Sequence, residues 1–105
     1  MSKVAGRMID RCKVLSTEGN AMFRERNWTG AFKKYSEVID IIESKTNTLE
    51  IKSKSNLRNT YINRIKVSKL LARCAEAEDD SKSAFWYLRH ALKDCETAIR
   101  LDDQH

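Results

Sequence analysis

The 105-residue sequence contains no proline and only three glycines. These two residue types interrupt helices most strongly, so their scarcity favours a helical protein with short breaks. A run of about 18 consecutive apolar residues, as a transmembrane helix requires, is missing. With 33% charged and 41% hydrophobic residues, the composition is typical of a helical protein that buries its own core. At this length we expect a single domain.

Signatures of catalysis and of metal binding are missing as well. The sequence has no glycine-rich phosphate loop, no HExxH motif, no CxxC pair and no Ser–His–Asp set. An odd number of cysteines without metal-like spacing favours reduced thiols over a disulfide framework. We therefore predict no enzymatic activity and no cofactor, with a metal site formed by the cysteines and His90 as a remote alternative. The cysteines are Cys12, Cys74 and Cys95.

The first twelve residues, MSKVAGRMIDRC, contain four charged side chains and no apolar core. A secretory signal has such a core, so this segment does not resemble one. Together with the reduced cysteines, it predicts an intracellular protein. The cytoplasm is the simplest compartment, and the nucleus stays open.

Apolar residues recur at helical spacing along four segments of the chain. Asn27 and either Asp80 or Ser81 can cap the helices that follow them. The polar residues 44–56 are interpreted as a connector, with a helix that begins after Asn47 or Thr48 as the alternative. The pattern predicts an all-α fold of antiparallel helix–turn–helix pairs. The expected helices cover about residues 4–26, 28–43, 57–77 and 81–101.

Residues 19–39 are the most informative stretch. A glycine inside a helix costs about 1 kcal/mol relative to alanine, so Gly19 requires a packing reason. Close approach of a second helix is such a reason. Ala31 and Tyr35 are four residues apart and therefore lie on one face of that second helix.

The last predicted helix repeats part of this pattern, which indicates an internal repeat. Five positions correspond, with Ala31, Tyr35, Val38, Ile39 and Ile41 matched by Ala91, Cys95, Ala98, Ile99 and Leu101. The pattern resembles the tetratricopeptide repeat (TPR) family, whose unit is a helix–turn–helix of about 34 residues. The first repeat carries the family's motif at Gly19, Trp28, Ala31 and Tyr35, with Val38 in place of the last alanine.

The resemblance implies a TPR-like α-solenoid of about four helices. Repeat 1 covers about residues 12–43, followed by the connector 44–56 and a second repeat at about 57–103. The spacing of the matched alanines exceeds one repeat, so we expect the helices of the second pair to be lengthened. Because a solenoid usually needs about three repeats, we expect a fragment of a longer protein. Self-association through the uncapped carboxyl-terminal face, giving a homo-oligomer, is the alternative.

In TPR proteins the first helix of each pair lines a concave groove. Residues 47–76 contain seven basic and two acidic side chains, a net charge of +5. A positive groove favours an acidic peptide and accelerates its encounter. The resemblance therefore implies an adaptor that binds an acidic or carboxyl-terminal peptide, with the acidic terminus of a heat-shock chaperone as a candidate partner.

The resemblance to the co-chaperone and immunophilin type of TPR domain also implies groove residues. Asn20 and Asn63 match the two asparagines that hold the peptide's terminal carboxylate in those domains. By position, Lys13, Arg24 and Lys66 can add positive charge. The lysine expected three residues before Gly19 is Ser16 here, so the clamp is incomplete. For Asn20, a bridge to the adjacent helix is an almost equally good explanation.

Two other classes of protein–partner interaction stay open. A scaffold could bind a partner helix through apolar groove residues such as Phe23, Ile62 and Leu70. The sequence pI of about 9.2 suggests nucleic acid as a weaker alternative. Against it, the aromatic residues occupy core-like positions and are not interleaved with lysine and arginine; they are Trp28, Phe32, Tyr35 and Trp86.

Overall fold

The chain forms α1 (Lys3–Arg24), α2 (Trp28–Ser44), α3 (Thr46–Ala77) and α4 (Ser81–Asp102). This is a computed structural model, which describes the backbone of residues 3–44 and 46–102 and the side chains of residues 7–44 and 57–101. The all-α fold of packed helix pairs is confirmed. The second pair is the longer one, with 32 and 22 residues against 22 and 17. None of the helices in the described ranges is long and apolar enough to cross a membrane.

Two of the predicted helix caps are present in the structure. The Asn27 side-chain oxygen accepts a hydrogen bond from the Gly30 amide at 3.0 Å, and Asp80 does the same for the Ser83 amide at 3.1 Å. The hydrogen bonds from Ser83 hold the pKa of the Asp80 carboxyl below its ordinary value, as a charged cap requires. These caps define the beginnings of α2 and α4.

The predicted connector 44–56 is helical in the structure from Thr46 onward. The helix thus begins slightly before the alternative start after Asn47 or Thr48, and this corrects the assignment of the whole segment to a connector. The reason is that Ser, Thr, Asn and Lys cost only a few tenths of a kcal/mol each in an exposed helix, so polarity alone does not exclude a helix. The side chains of this segment, including Lys52 and Lys54, lie outside the described residues.

The helices pack in chain order, with α2 against α1, α3 against α2 and α4 against α3. Two apolar clusters fill the spaces between them. The first joins α1, α2, α3 and α4 through Leu15, Val38, Ile39, Ile42, Leu57, Tyr61 and Ala98. The second lies towards the α1–α2 turn and contains Ala31, Tyr35, Val67 and Leu71.

Gly19 marks the close approach of α2 to α1 that the sequence predicts. A Cβ atom added at Gly19 would lie 2.8 Å from Tyr35 Cε1 and 3.2 Å from Lys34 Cβ. The first distance is too short for carbon atoms, and the Tyr35 ring is buried. A side chain at position 19 would therefore push the two helices apart.

We expect Gly19→Ala to lower the free energy of unfolding by about 1 kcal/mol. The gain in helix propensity, about 1 kcal/mol, is outweighed by an overpacking cost of about 1–3 kcal/mol. Urea denaturation followed by circular dichroism measures the change. Thr17→Ala, at an exposed position of the same helix, is the control and should leave the stability within about 0.5 kcal/mol. A variant as stable as the unmodified chain would contradict the close packing.

A buried ion pair connects α2, α3 and α4. The Arg64 guanidinium donates to both carboxylate oxygens of Asp94, each at 2.8 Å, and to the Ser36 hydroxyl at 3.1 Å. Only 8% of Arg64 and 2% of Asp94 are exposed. The guanidinium also lies over the rings of Phe32 and Tyr61. Arg64, counted in the sequence as a positive charge of the groove, is neutralised here instead.

The apolar residues of α4 divide between two faces. Small side chains face α3 and are buried, namely Ala84, Ala91 and Ala98. The large ones are exposed, namely Phe85, Trp86, Leu88, Leu92 and Ile99. The prediction that Trp86 occupies a core-like position is therefore wrong, since 52% of this residue is exposed. The reason is that the apolar arc of α4 is wider than one neighbouring helix can cover.

Candidate functional site

A groove runs between α1 and α3, with α2 as its floor. We call it the α1–α3 groove. Its larger part, of about 490 Å³, is lined by Ile9, Cys12, Lys13, Ser16, Thr17, Asn20, Val38, Ile42, Asn59, Thr60 and Asn63. Its smaller part, of about 210 Å³, is lined by Asn20, Phe23, Arg24, Tyr35, Asn63 and Lys66. Both parts share Asn20 and Asn63, so they form one continuous surface.

Helical spacing explains why these side chains share a groove. On α1, Lys13, Asn20 and Arg24 follow one another at intervals of seven and four residues, which keeps them on one face. On α3, Asn63 and Lys66 are three residues apart and face α1 in the same way. The two faces converge because both helices pack against α2.

The structure places all five predicted site residues along the α1–α3 groove. Asn20 and Asn63 lie where its two parts meet. Lys13 lines one end of the groove, and Arg24 and Lys66 line the other. Among the described residues that line either part, none is an Asp or a Glu. The groove therefore combines amide donors at its centre with cations at both ends.

Asn20 serves as the predicted bridge to the adjacent helix. The Tyr35 hydroxyl donates a hydrogen bond of 2.7 Å to the Asn20 side-chain oxygen. Burial raises the pKa of Tyr35, while the positive charge of Arg24 opposes that shift, so the hydroxyl keeps its proton at neutral pH. With its oxygen directed to Tyr35, Asn20 has the two hydrogens of its amide nitrogen to donate to a ligand. The structural and the binding role of Asn20 are therefore compatible.

Other predicted contributors lie elsewhere. Ile62, named for an apolar groove, lines a cavity on the opposite side of α3 together with Cys95 and Ile99. Leu70 lines neither part of the α1–α3 groove, whereas Phe23 lines its smaller part. Two of the three apolar residues that were predicted to bind a partner helix in the groove therefore do not line it.

Sequence reasoning missed Asn59, which lines the groove one turn before Asn63. The spacing of four residues between these two asparagines was a usable signal, because it places both amides on one helix face. The exposed Asn59 side chain extends the row of amide donors towards Lys13.

The cysteines do not form a reactive or metal-binding centre among the described residues. Cys12, Cys74 and Cys95 are free thiols, and burial raises the pKa of Cys12, which disfavours its reactive thiolate form. Within the described part of the chain, no group of three His, Cys, Asp or Glu residues could hold a metal ion. His90 instead packs among the rings of Phe32 and Trp86.

No protein-family model, curated protein or solved structure matches this chain. The α1–α3 groove has a distinctive chemistry of its own. That chemistry is a row of amide donors flanked by cations, with no carboxylate among the lining residues that the structure describes. Such a surface suits an extended anionic ligand.

Proposed function

We propose that this protein is a TPR-like adaptor whose α1–α3 groove binds an acidic peptide through its terminal carboxylate. The observation that carries the proposal is the convergence of Asn20 and Asn63 from two separate helices on one stretch of groove. Arg24 and Lys66 line the same stretch and supply positive charge. The acidic terminus of a heat-shock chaperone is one partner of this chemistry.

The mechanism of binding is electrostatic capture followed by hydrogen bonding. The cations attract the peptide and accelerate its encounter with the groove. The amides of Asn20 and Asn63 then donate to the carboxylate, and each hydrogen bond to a charged group contributes about 1.5–3 kcal/mol. Ser16 in place of a lysine leaves fewer charges than in the chaperone-binding domains that this chain resembles. We therefore expect moderate, salt-sensitive affinity.

Titration of a fluorescent peptide ending in Glu-Glu-Val-Asp tests the proposal. Asn63→Ala and Lys66→Ala are each expected to weaken binding about tenfold, which corresponds to about 1.4 kcal/mol. Lys69→Ala removes the same charge from an exposed position of α3 outside the groove, so it serves as the control and should bind normally. Affinity should also fall as salt is raised from 50 to about 300 mM.

A second peptide, with its terminal carboxylate converted to an amide, distinguishes recognition of that carboxylate from general recognition of acidic side chains. If both peptides bind equally, the carboxylate clamp is wrong and only acidic recognition survives. Absence of binding to either peptide would exclude the chaperone terminus as a ligand. Binding unaffected by Asn63→Ala and by Lys66→Ala would show that the ligand occupies another surface.

A structural scaffold is the second candidate function. The observation that favours it is the exposed row of large apolar side chains on α4. Monomeric proteins rarely leave such side chains contiguous, and an uncovered row of this kind marks an interaction surface. This surface is separate from the α1–α3 groove, so the two functions are compatible.

A further inference from the structure

The exposed apolar residues of α4 form a regular row that we call the α4 seam. They follow one another at intervals of three, four, three and four residues. Cys95 is partly buried, and the other members are exposed, Leu92 to 62%. The α4 seam consists of Phe85, Leu88, Leu92, Cys95 and Ile99.

This spacing is that of the a and d positions of a coiled coil, where one helix packs along another over successive turns. A strip with a 3.5-residue period stays straight along a second helix, whereas scattered surface residues do not. The other flank of α4 already packs on α3 through its alanines. The α4 seam is therefore built for a further helix that lies alongside α4.

The seam is complementary to itself when a second α4 runs in the opposite direction. One antiparallel register pairs Leu88 with Ile99 of the second copy, and Leu92 with Cys95 of the second copy. Two-fold symmetry repeats both contacts, so four apolar layers form. At the Ile99 end, Ile62 and Ile65 of α3 widen the strip with a cavity of about 350 Å³, which can receive Leu88 of the second copy. Arg58 of α3 also lines this cavity.

The charges beside the seam select this register. Arg89 and Glu96 each follow a seam residue and lie seven residues apart, at positions where antiparallel coiled coils place their flanking ion pairs. In the register above, Arg89 lies opposite Glu96 of the second copy, and symmetry forms the pair twice. Sliding by one heptad pairs Lys82 with Glu96 but brings the two Arg89 side chains together, which is repulsive.

We propose that two copies of this chain associate in antiparallel orientation through the α4 seam, with reciprocal Arg89–Glu96 ion pairs. The interface lies on the far side of α3 from the α1–α3 groove. It does not depend on the proposed peptide binding, and each copy keeps its groove open. The dimer would thus present two peptide-binding grooves.

Light scattering after size exclusion, at concentrations from about 5 to 500 µM, measures the molar mass. We expect the unmodified chain to approach twice its monomer mass of 12.2 kDa. Leu92→Asp should stay monomeric, because it places a charge in an apolar layer. Arg89→Glu and Glu96→Arg, each alone, should raise the dimer dissociation constant at least tenfold. Circular dichroism must show unchanged helicity in every variant.

An equimolar mixture of the two charge variants is the decisive sample. In the Arg89→Glu variant positions 89 and 96 are both acidic, and in the Glu96→Arg variant both are basic. One copy of each variant therefore restores two ion pairs of opposite charge. The mixture should form a heterodimer about as tightly as the unmodified chain associates. Lys33→Glu makes the same charge change at an exposed position of α2, away from the seam, and should leave the dimer unchanged within about threefold. It is the matched control.

Three results would overturn the proposal. A monomeric mass for the unmodified chain at all concentrations would show that the seam does not join two copies, leaving it to a partner of another sequence. Dimerisation insensitive to Leu92→Asp would place the interface elsewhere. Failure of the mixed charge variants to associate would exclude the antiparallel pairing of Arg89 with Glu96.

Discussion

Asp94→Ala is expected to lower the free energy of unfolding by about 3–5 kcal/mol, because it leaves the Arg64 guanidinium buried without its carboxylate. Arg64 makes two 2.8 Å hydrogen bonds to Asp94, and both side chains are almost inaccessible to water. In the variant, the Arg64 guanidinium would keep only its 3.1 Å hydrogen bond to Ser36 and its contacts with the neighbouring aromatic rings. A domain of this size is stable by about 5–15 kcal/mol, so the loss is a large share of the total.

Urea denaturation of Asp94→Ala measures this loss, with Asp40→Ala as the control. Asp40 is an exposed acidic residue of α2, and its removal should change stability by no more than about 0.5 kcal/mol. The double variant Arg64→Met/Asp94→Leu removes both charges and should lose much less than Asp94→Ala alone, since no buried charge is left unpaired. Equal losses in the single and the double variant would show that packing, not charge, stabilises this position.

Leu15→Ala is the second variant with a large expected effect, a loss of about 3–4 kcal/mol. Leu15 is 1% exposed and packs from α1 into the cluster with Val38, Ile39 and Leu57. Truncation removes apolar area and leaves a cavity, and both terms reduce stability. Because Leu15 is the fully buried large side chain among the described residues of α1, its loss should loosen α1 in particular.

Val14→Ala is a matched control for Leu15→Ala. Val14 precedes Leu15 in the same helix and is 51% exposed, so the same type of truncation should cost less than about 0.5 kcal/mol. Both variants are measured by urea denaturation, with hydrogen exchange to locate the loosened helix. Similar losses at positions 14 and 15 would contradict the packing of α1 described above.

Stability and binding are connected through α2. The α1–α3 groove exists because both walls pack against α2, and the Tyr35 hydrogen bond to Asn20 orients one of its amide donors. A loosened α1 would move Lys13, Asn20 and Arg24 relative to Asn63 and Lys66. Leu15→Ala should therefore also weaken binding of the acidic peptide, although Leu15 does not line the groove.

Local sequence signals predicted the features that depend on near neighbours. Asn27 and Asp80 cap helices through hydrogen bonds to the third residue after them, which a short stretch of sequence encodes completely. Gly19 predicted a close helix crossing, because glycine destabilises a helix relative to alanine and close packing must offset that loss. The groove residues of α1 and α3 were implied by the resemblance to TPR domains and not by local signals.

The buried ion pair between α3 and α4 was not predicted. Arg64 and Asp94 are 30 residues apart, and nothing in the surroundings of either distinguishes a buried charge from a solvated one. The exposure of Trp86 and Leu92 was missed for a related reason. An apolar arc on a helix shows that something should cover it, but not which element does so or how wide that element is.

The sequence by itself determined the all-α fold, the caps of α2 and α4 and the crossing at Gly19. These are consequences of backbone hydrogen bonding and side-chain periodicity, which act over a few residues. Only the tertiary structure decided that Arg64 is neutralised by Asp94 and that the five predicted site residues share one groove. It also decided that the large apolar side chains of α4 face solvent, because burial depends on which helices become neighbours.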